Sequence, residues 1–248
     1  MNRPPRSLTY LLPNFFTAAS IFAGVYSMVS AVEGHFSFAA WMILLSLVFD
    51  GLDGRVARLT NTCSHFGVEF DSLADIVAFG AAPGLLIYLY AGEEFGRLGI
   101  LVSALYVIFG AIRLARFNVM TAQTEPSVFI GVPIPTAAVF MAVLVLLYGK
   151  YPSLAAHHWV IPVMALVSAL LMVSNIRYPS FKKVNMHTMH FKRYLVLALV
   201  VASAIFLYPI EGVAAFFTIY ILYGPLRAGW FFYGRYTLLR KYRRRHRK

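Results

Sequence analysis

The 248-residue chain is 60% hydrophobic and only 13% charged, with a mean hydropathy of +0.69. A soluble domain carries roughly a quarter of its residues as charges and a disordered chain is poor in apolar residues, so both classes are excluded. A single cysteine, Cys63, leaves no internal disulfide or multi-cysteine metal site, and the net charge of +12 lies between long apolar runs, a pattern that argues against a nucleic-acid partner.

A helix needs about 20 mostly apolar residues to cross the hydrocarbon core of a bilayer. In chain order that window predicts eight transmembrane helices, at 15–32, 37–58, 68–91, 98–118, 133–149, 158–174, 192–209 and 213–232. Polar or turn-rich stretches separate them, among them Glu33-Gly34-His35, Gly92-Glu93-Glu94 and Lys150-Tyr151-Pro152. The first run is followed too closely by others to read as a cleaved signal peptide. The expected architecture is an all-α, polytopic helical bundle: one transmembrane domain over residues 1–235 and a basic tail over 236–248. Lysine and arginine stay on the cytoplasmic side of a membrane. With eight spans, all 22 of them except Arg97 and Lys150 fall on the side of the two termini. Both termini are therefore expected in the cytoplasm, on a cell-membrane protein whose tail also attracts anionic lipid headgroups.

The four aspartates of the chain, Asp50, Asp53, Asp71 and Asp75, all fall between the end of the second predicted helix and the first half of the third. Ionisable groups in membrane helices cost a few kcal/mol each on insertion scales, so they need a reason. At about 100° per residue, Asp50 and Asp53 share one helix face and Asp71 and Asp75 another. An antiparallel hairpin of the two helices would bring four carboxylates together near the cytoplasmic boundary. Four such groups do not stay ionised together without cations. An all-oxygen set without nearby histidine or thiolate favours Mg²⁺, Mn²⁺ or Ca²⁺. The alternative is pairing with Arg55 and Arg58, but two arginines cannot neutralise four acids.

The string from Asp50 to Asp75 reads D-x2-D-G-x2-A-R-x8-G-x3-D-x3-D, which resembles the signature of the CDP-alcohol phosphotransferases at every fixed position. That resemblance implies a two-metal site, Mg²⁺ or Mn²⁺, and transfer of a phosphatidyl or similar group from a CDP-linked donor to an alcohol with release of CMP. It implies that Asp50 and Asp71 bridge both ions, that Asp53 holds one and Asp75 the other, and that Asp75 is also the catalytic general base. Gly54, Arg58 and Ser64 would hold the nucleotide and phosphates of CDP-diacylglycerol, with Ala57 and Gly67 leaving room. Asn14 and Thr17, in the Pro13-Asn14-Phe-Phe-Thr17 stretch, resemble the family's other nucleotide-contacting segment; Asn14 reads equally well as a helix cap.

The core signature does not name the acceptor. The segments Ser72–Pro83, Arg113–Asn118, Phe129–Pro135 and Ser174–Lys182 resemble those of the bacterial and archaeal phosphatidylserine synthases, a branch of the same family, and imply CDP-diacylglycerol and L-serine as substrates. Serine carries a carboxylate, which a guanidinium matches in a two-pronged fashion, so Arg113, Arg116 and, more weakly, Arg177 are candidate serine ligands. Arg113 and Arg116 also read as end-of-helix cations snorkelling to the interface. Two other functions stay open: the same chemistry with glycerol 3-phosphate or an inositol species, and a cation transporter using the four aspartates. A homodimer is compatible with the sequence.

Overall fold

The computed structural model describes residues 7–60, 62, 64–121, 129–178, 199, 203 and 206–245. Among them the chain is almost wholly helical. The long elements are α1 (Ser7–Val32), α2 (Phe36–Leu59), a composite α3 (His65–Phe95), α4 (Arg97–Thr121), α5 (Ile134–Lys150), α6 (Val160–Val173) and α7 (Pro209–Arg245). Five of them carry stretches long and apolar enough to cross a membrane: Leu12–Val32, Phe36–Leu59, His65–Phe95, Arg97–Met120 and Pro209–Arg227. The expected spans at 133–149 and 158–174 are present as shorter apolar helices, α5 and α6. At 1.5 Å per residue the 14 residues of α6 reach only about 21 Å. The expected span at 192–209 falls almost entirely outside the described residues. The division expected at 235–236 falls inside α7, which runs on to Arg245.

Burial sorts the helices. In α5 most side chains are buried, from Ile134 to Tyr148, as expected of a helix that is apolar all round. The core around it holds Ile43, Phe79, Leu86, Tyr106, Phe140 and Ile161, all essentially inaccessible. On α1, α2 and α4, Phe22, Trp41, Ile108 and similar residues stay exposed; these are the faces a bilayer covers.

Packing between α1 and α2 is reinforced by polar side chains. Ser20 Oγ donates to the Ser46 carbonyl at 3.3 Å and Ser46 Oγ to the Ser20 carbonyl at 3.2 Å, with Ser27 Oγ on the Ala39 carbonyl at 2.8 Å. Small hydroxyl residues serve membrane helices in this way, because their backbones approach closely. At Gly24 a β-carbon would lie 2.9 Å from Ala78 Cα, so α1 rests directly on the backbone of α3.

The third span is not a regular α-helix. Directly after Asp75 it widens into a π-helical segment, Ile76–Ala81, in which the Ala82 N–H reaches back to the Val77 carbonyl. A second π segment covers Tyr88–Gly92. Each widens the helical turn and rotates the downstream residues about the axis, and such bulges concentrate at functional sites. A two-residue antiparallel ribbon pairs β1 (Phe129–Ile130) with β2 (Arg177–Tyr178). Gly131 makes the turn from β1 to α5 with φ +76°, and a β-carbon there would sit 2.3 Å from the Met172 carbonyl oxygen; no other residue type fits.

Candidate active site

The aspartates converge, but across a gap. Helix α2 packs chiefly on α1 and α5, while the start of α3 leans on α1. The two acidic helices touch further along α3, over Ile76–Ile87, and hardly at all at its acidic start, so the hairpin expected from the sequence is packed only beyond the aspartates. Their carboxylates meet in the space between. Oxygens of Asp50, Asp53 and Asp71 all lie within 4.8 Å of one another. Asp75 stands one turn further along α3, outside that triad yet at hydrogen-bonding range of Asp50, and its Oδ1 is buried without a hydrogen-bond partner.

Among the described residues no lysine or arginine forms an ion pair with any of the four; the one ion pair is Lys150–Glu211. This removes pairing with Arg55 and Arg58 as the explanation of the cluster. Arg58 instead turns back along its own helix, its Nε donating to the Gly54 carbonyl at 2.8 Å. The donor set is hard oxygen, convergent and uncompensated, with one orphaned buried oxygen at its edge. It fits divalent cations such as Mg²⁺ or Mn²⁺.

The residues expected around the nucleotide gather at the same end. Thr17 is buried and its Oγ1 donates to Asp53 Oδ2 at 2.7 Å, so α1 fixes the orientation of one carboxylate directly. Ser64 is the N-cap of α3, its Oγ accepting from the Gly67 N–H at 3.0 Å, a local reason for the helix to start there. A β-carbon at Gly67 would meet Ser64 Oγ at 3.2 Å and Asn14 Oδ1 at 3.8 Å, which places Asn14, Ser64 and Gly67 together. Asn14 lies within α1, not at its start, so the capping alternative does not hold. Ala57 and Gly54 are partly exposed on α2 beside them.

The two arginines of α4 part company. Arg113 is 8% exposed, stacks on Phe117 at 5.1 Å and lies within electrostatic range of Asp75 and, from α7, of Tyr220. Arg116 points elsewhere: its guanidinium donates to the Val173 carbonyl at 3.2 Å and to Asn175 Oδ1 at 2.8 Å, fastening the end of α4 to the end of α6. Arg177 enters the fold through β2; its side chain lies outside the described residues. Two links were not anticipated from the sequence. Asn118 Nδ2 donates to Ser72 Oγ at 2.8 Å and ties α4 to the acidic half of α3; a lone amide in an apolar helix was the available signal. Tyr220 had none, being one aromatic among many in its span.

A profile of the CDP-alcohol phosphatidyltransferase family matches residues 10–173, a segment that includes all four aspartates and Arg113. The chain belongs to that family. It is 51% identical over 229 residues to a CDP-diacylglycerol–serine O-phosphatidyltransferase of Helicobacter pylori, covering 92% of this chain and 94% of the relative. It is 39% identical over 170 residues to the archaetidylserine synthase of Methanothermobacter thermautotrophicus, covering 68% and 69% of the two chains. A crystal structure of the phosphatidylinositol phosphate synthase of Mycobacterium tuberculosis with CDP-DAG bound superposes with a TM-score of 0.51 at 14% identity, over 72% of this chain and 92% of that one. This last likeness concerns the fold alone. The chain is thus a multi-pass membrane enzyme of the phosphatidyltransferase type.

Proposed function

We propose that this enzyme transfers the phosphatidyl group of CDP-diacylglycerol to L-serine, giving phosphatidylserine and CMP, at the cytoplasmic face of the cell membrane. The observation that carries the chemistry is the convergence of Asp50, Asp53 and Asp71, with Asp75 next to them, none of the four in an ion pair among the described residues. The acceptor is supported by the serine-using relative at 51% identity and by the placement of Arg113 beside Asp75.

Asp50, Asp53, Asp71 and Asp75 would hold divalent metal, Mg²⁺ or Mn²⁺ and two ions, which when bound supplies charge stabilisation to the phosphates and to the departing nucleotide. The chain's own groups do the rest. Thr17 holds Asp53 in place. Gly54, Ala57 and Gly67 leave open backbone at the mouth of the site, where Arg58, Ser64 and Asn14 bind the nucleotide and phosphates of the donor. The donor's acyl chains stay in lipid against the exposed apolar faces. Asp75 takes the proton from the acceptor hydroxyl as its oxygen bonds to the phosphatidyl phosphorus and the bond from phosphorus to CMP breaks, the work of a general base. Arg113 receives the serine carboxylate. Arg116 serves the scaffold, and α4 thereby keeps Arg113 in position.

The deciding experiment gives the purified protein CDP-diacylglycerol, Mg²⁺ or Mn²⁺, and in turn serine, glycerol 3-phosphate, inositol and inositol phosphate, scoring CMP and the product lipid. Phosphatidylserine as the dominant product is expected; a different dominant lipid overturns the acceptor, and absence of CMP release with every alcohol returns a transporter to consideration. The eight-span topology with both termini cytoplasmic is tested by labelling Arg6→Cys and Arg245→Cys in a Cys63→Ser background. Both should react only from the cytoplasmic side; labelling of one from outside means an odd number of spans, and labelling of both means the opposite orientation.

A further inference from the structure

We propose that Asn118, on α4, is a positioning residue for the metal-holding acids: by donating to Ser72 it fixes the rotation of the acidic half of α3, and so the aim of Asp71 and Asp75. The inference rests on the proposed metal site and goes beyond it, because it assigns a role to an amide on a helix that carries none of the four acids. The acidic half of α3, His65–Asp75, packs on α1 and runs directly into the π segment Ile76–Ala81. A π turn holds about one residue more than an α turn, and one residue is about 100° of helix rotation. A helix that gains or loses that residue swings everything on its far side around the axis. For Asp71 and Asp75 such a swing would carry both carboxylates away from Asp50 and Asp53.

Asn118 sits where that rotation can be stopped. Its Nδ2 donates to Ser72 Oγ at 2.8 Å, and Ser72 Oγ donates in turn to the Val68 carbonyl at 3.0 Å. A serine hydroxyl has one proton to give and lone pairs to receive, so the relay uses it in both directions. It ties α4 to the turn from Val68 to Ser72, which contains Asp71 and lies just before Asp75. The register along the two helices fits the same role. Arg113 of α4 is within electrostatic range of Asp75. Five residues further along α4 and three residues back along α3, Asn118 meets Ser72. A link at that point holds α3 against both turning and sliding past α4. An amide also suits the task chemically. It fixes the turn that carries the carboxylates without neutralising them, so their charge stays available to a cation.

The test is calorimetry of the purified protein with Mn²⁺ alone, followed by steady-state kinetics. Removing an outer partner of a metal site costs about ten- to a hundredfold in metal affinity or activity. Asn118→Ala is expected at the lower end, with the Kd for Mn²⁺ up by about tenfold, kcat at saturating Mn²⁺ down by a similar factor, and the KM for serine within about threefold. Ser72→Ala breaks the same link from the other side and should give the same losses. The double variant should be no worse than either single one, because only one link is there to break. Ser72→Thr keeps the hydroxyl and should retain most of the Mn²⁺ affinity. Arg116→Lys loosens α4 at its fastening to α6 and should lower the melting temperature without moving the Kd. An unchanged Kd in Asn118→Ala overturns the proposal, as do additive losses in the double variant or equal losses in Ser72→Ala and Ser72→Thr. A rise confined to the serine KM also overturns it and makes Asn118 an acceptor ligand. If the unsubstituted protein takes up no Mn²⁺, the metal reading falls and this proposal with it, a failure visible before any variant is made.

Discussion

Where α5 meets α7, Glu211 receives Lys150 Nζ and Tyr151 Oη on one carboxylate oxygen, each at 2.5 Å. At the other end of the same bundle, Asp50, Asp53 and Asp71 crowd together with Asp75 next to them, and among the described residues no ammonium or guanidinium forms an ion pair with any of the four. Both sets are carboxylates at the ends of apolar helices. The difference is that one finds its counter-charge within the chain, and so fastens two helices, while the other leaves its charge for something that binds. Glu211 keeps one buried oxygen without a hydrogen-bond partner, as Asp75 does, so the contrast lies in the ion pair: a carboxylate paired within the protein can be removed with a structural consequence, one left without a cation with a chemical one. Substitutions at the two ends should therefore separate by orders of magnitude in activity.

The largest effect is expected from the centre of the acidic set. Asp50→Asn and Asp71→Asn each remove a charge from the triad that shares a space of 4.8 Å. Metal affinity and donor affinity should fall together, with turnover down by about a thousandfold or more, because metal-supplied charge stabilisation is worth several kcal/mol. Calorimetry with Mg²⁺ or Mn²⁺ alone reads the first part without turnover. Asp75→Asn should behave differently. It lies outside the triad, so CDP-diacylglycerol binding should stay within about tenfold while turnover drops by roughly 10²–10⁴, the usual worth of a general base. Substantial residual activity in Asp75→Asn would take the base role away from this residue, and a matching loss of metal would make it a ligand first.

Part of this contrast was legible in the residues. Long apolar runs mark the helices because a bilayer accepts little else, and α1, α2 and α4 overlap the windows expected for them. The spacing of the aspartates put them on common faces because helical periodicity is local. What was not legible depends on neighbours far along the chain. The gap between α2 and the start of α3 goes with α1 packing against both, and nothing between residues 50 and 75 encodes it. The π segment after Asp75 reads in sequence as ordinary small and apolar residues. Arg113 and Arg116 are equivalent by pattern, one turn apart at the end of one helix. Only the packing of α4 between α3 and α6 gives one of them an acid to face and the other a carbonyl.

Those two arginines give the next, smaller test of the comparison. Arg113→Lys keeps the charge and loses the fork, so the serine KM should rise by about ten- to a hundredfold, the worth of a charge-assisted contact of roughly 1.5–3 kcal/mol. The KM for CDP-diacylglycerol should remain near its original value. Arg116→Lys breaks a two-point fastening to Val173 and Asn175, and should lower the melting temperature of the detergent-solubilised protein with little change in serine KM. The reverse outcome, Arg116 governing serine and Arg113 governing stability, would mean that the acceptor sits on the far side of α4 from Asp75.

The smallest effect belongs to the end with the ion pair. Glu211→Gln keeps the shape of the side chain and removes the charge that holds Lys150 and Tyr151. The amide oxygen still accepts a hydrogen bond, and Lys150 is exposed enough for water to take over its hydration, as at most solvent-accessible ion pairs. Activity per folded molecule should therefore change by less than about twofold, with both KM values intact. Thermal stability should fall slightly, and less so in high salt, because an exposed pair is already screened there. Lys150→Met should do the same by removing the other partner. A loss of activity in both variants with the melting temperature unmoved would break the comparison, since it would show that a carboxylate paired within the protein, at the end of the bundle away from the aspartates, still communicates with the chemistry.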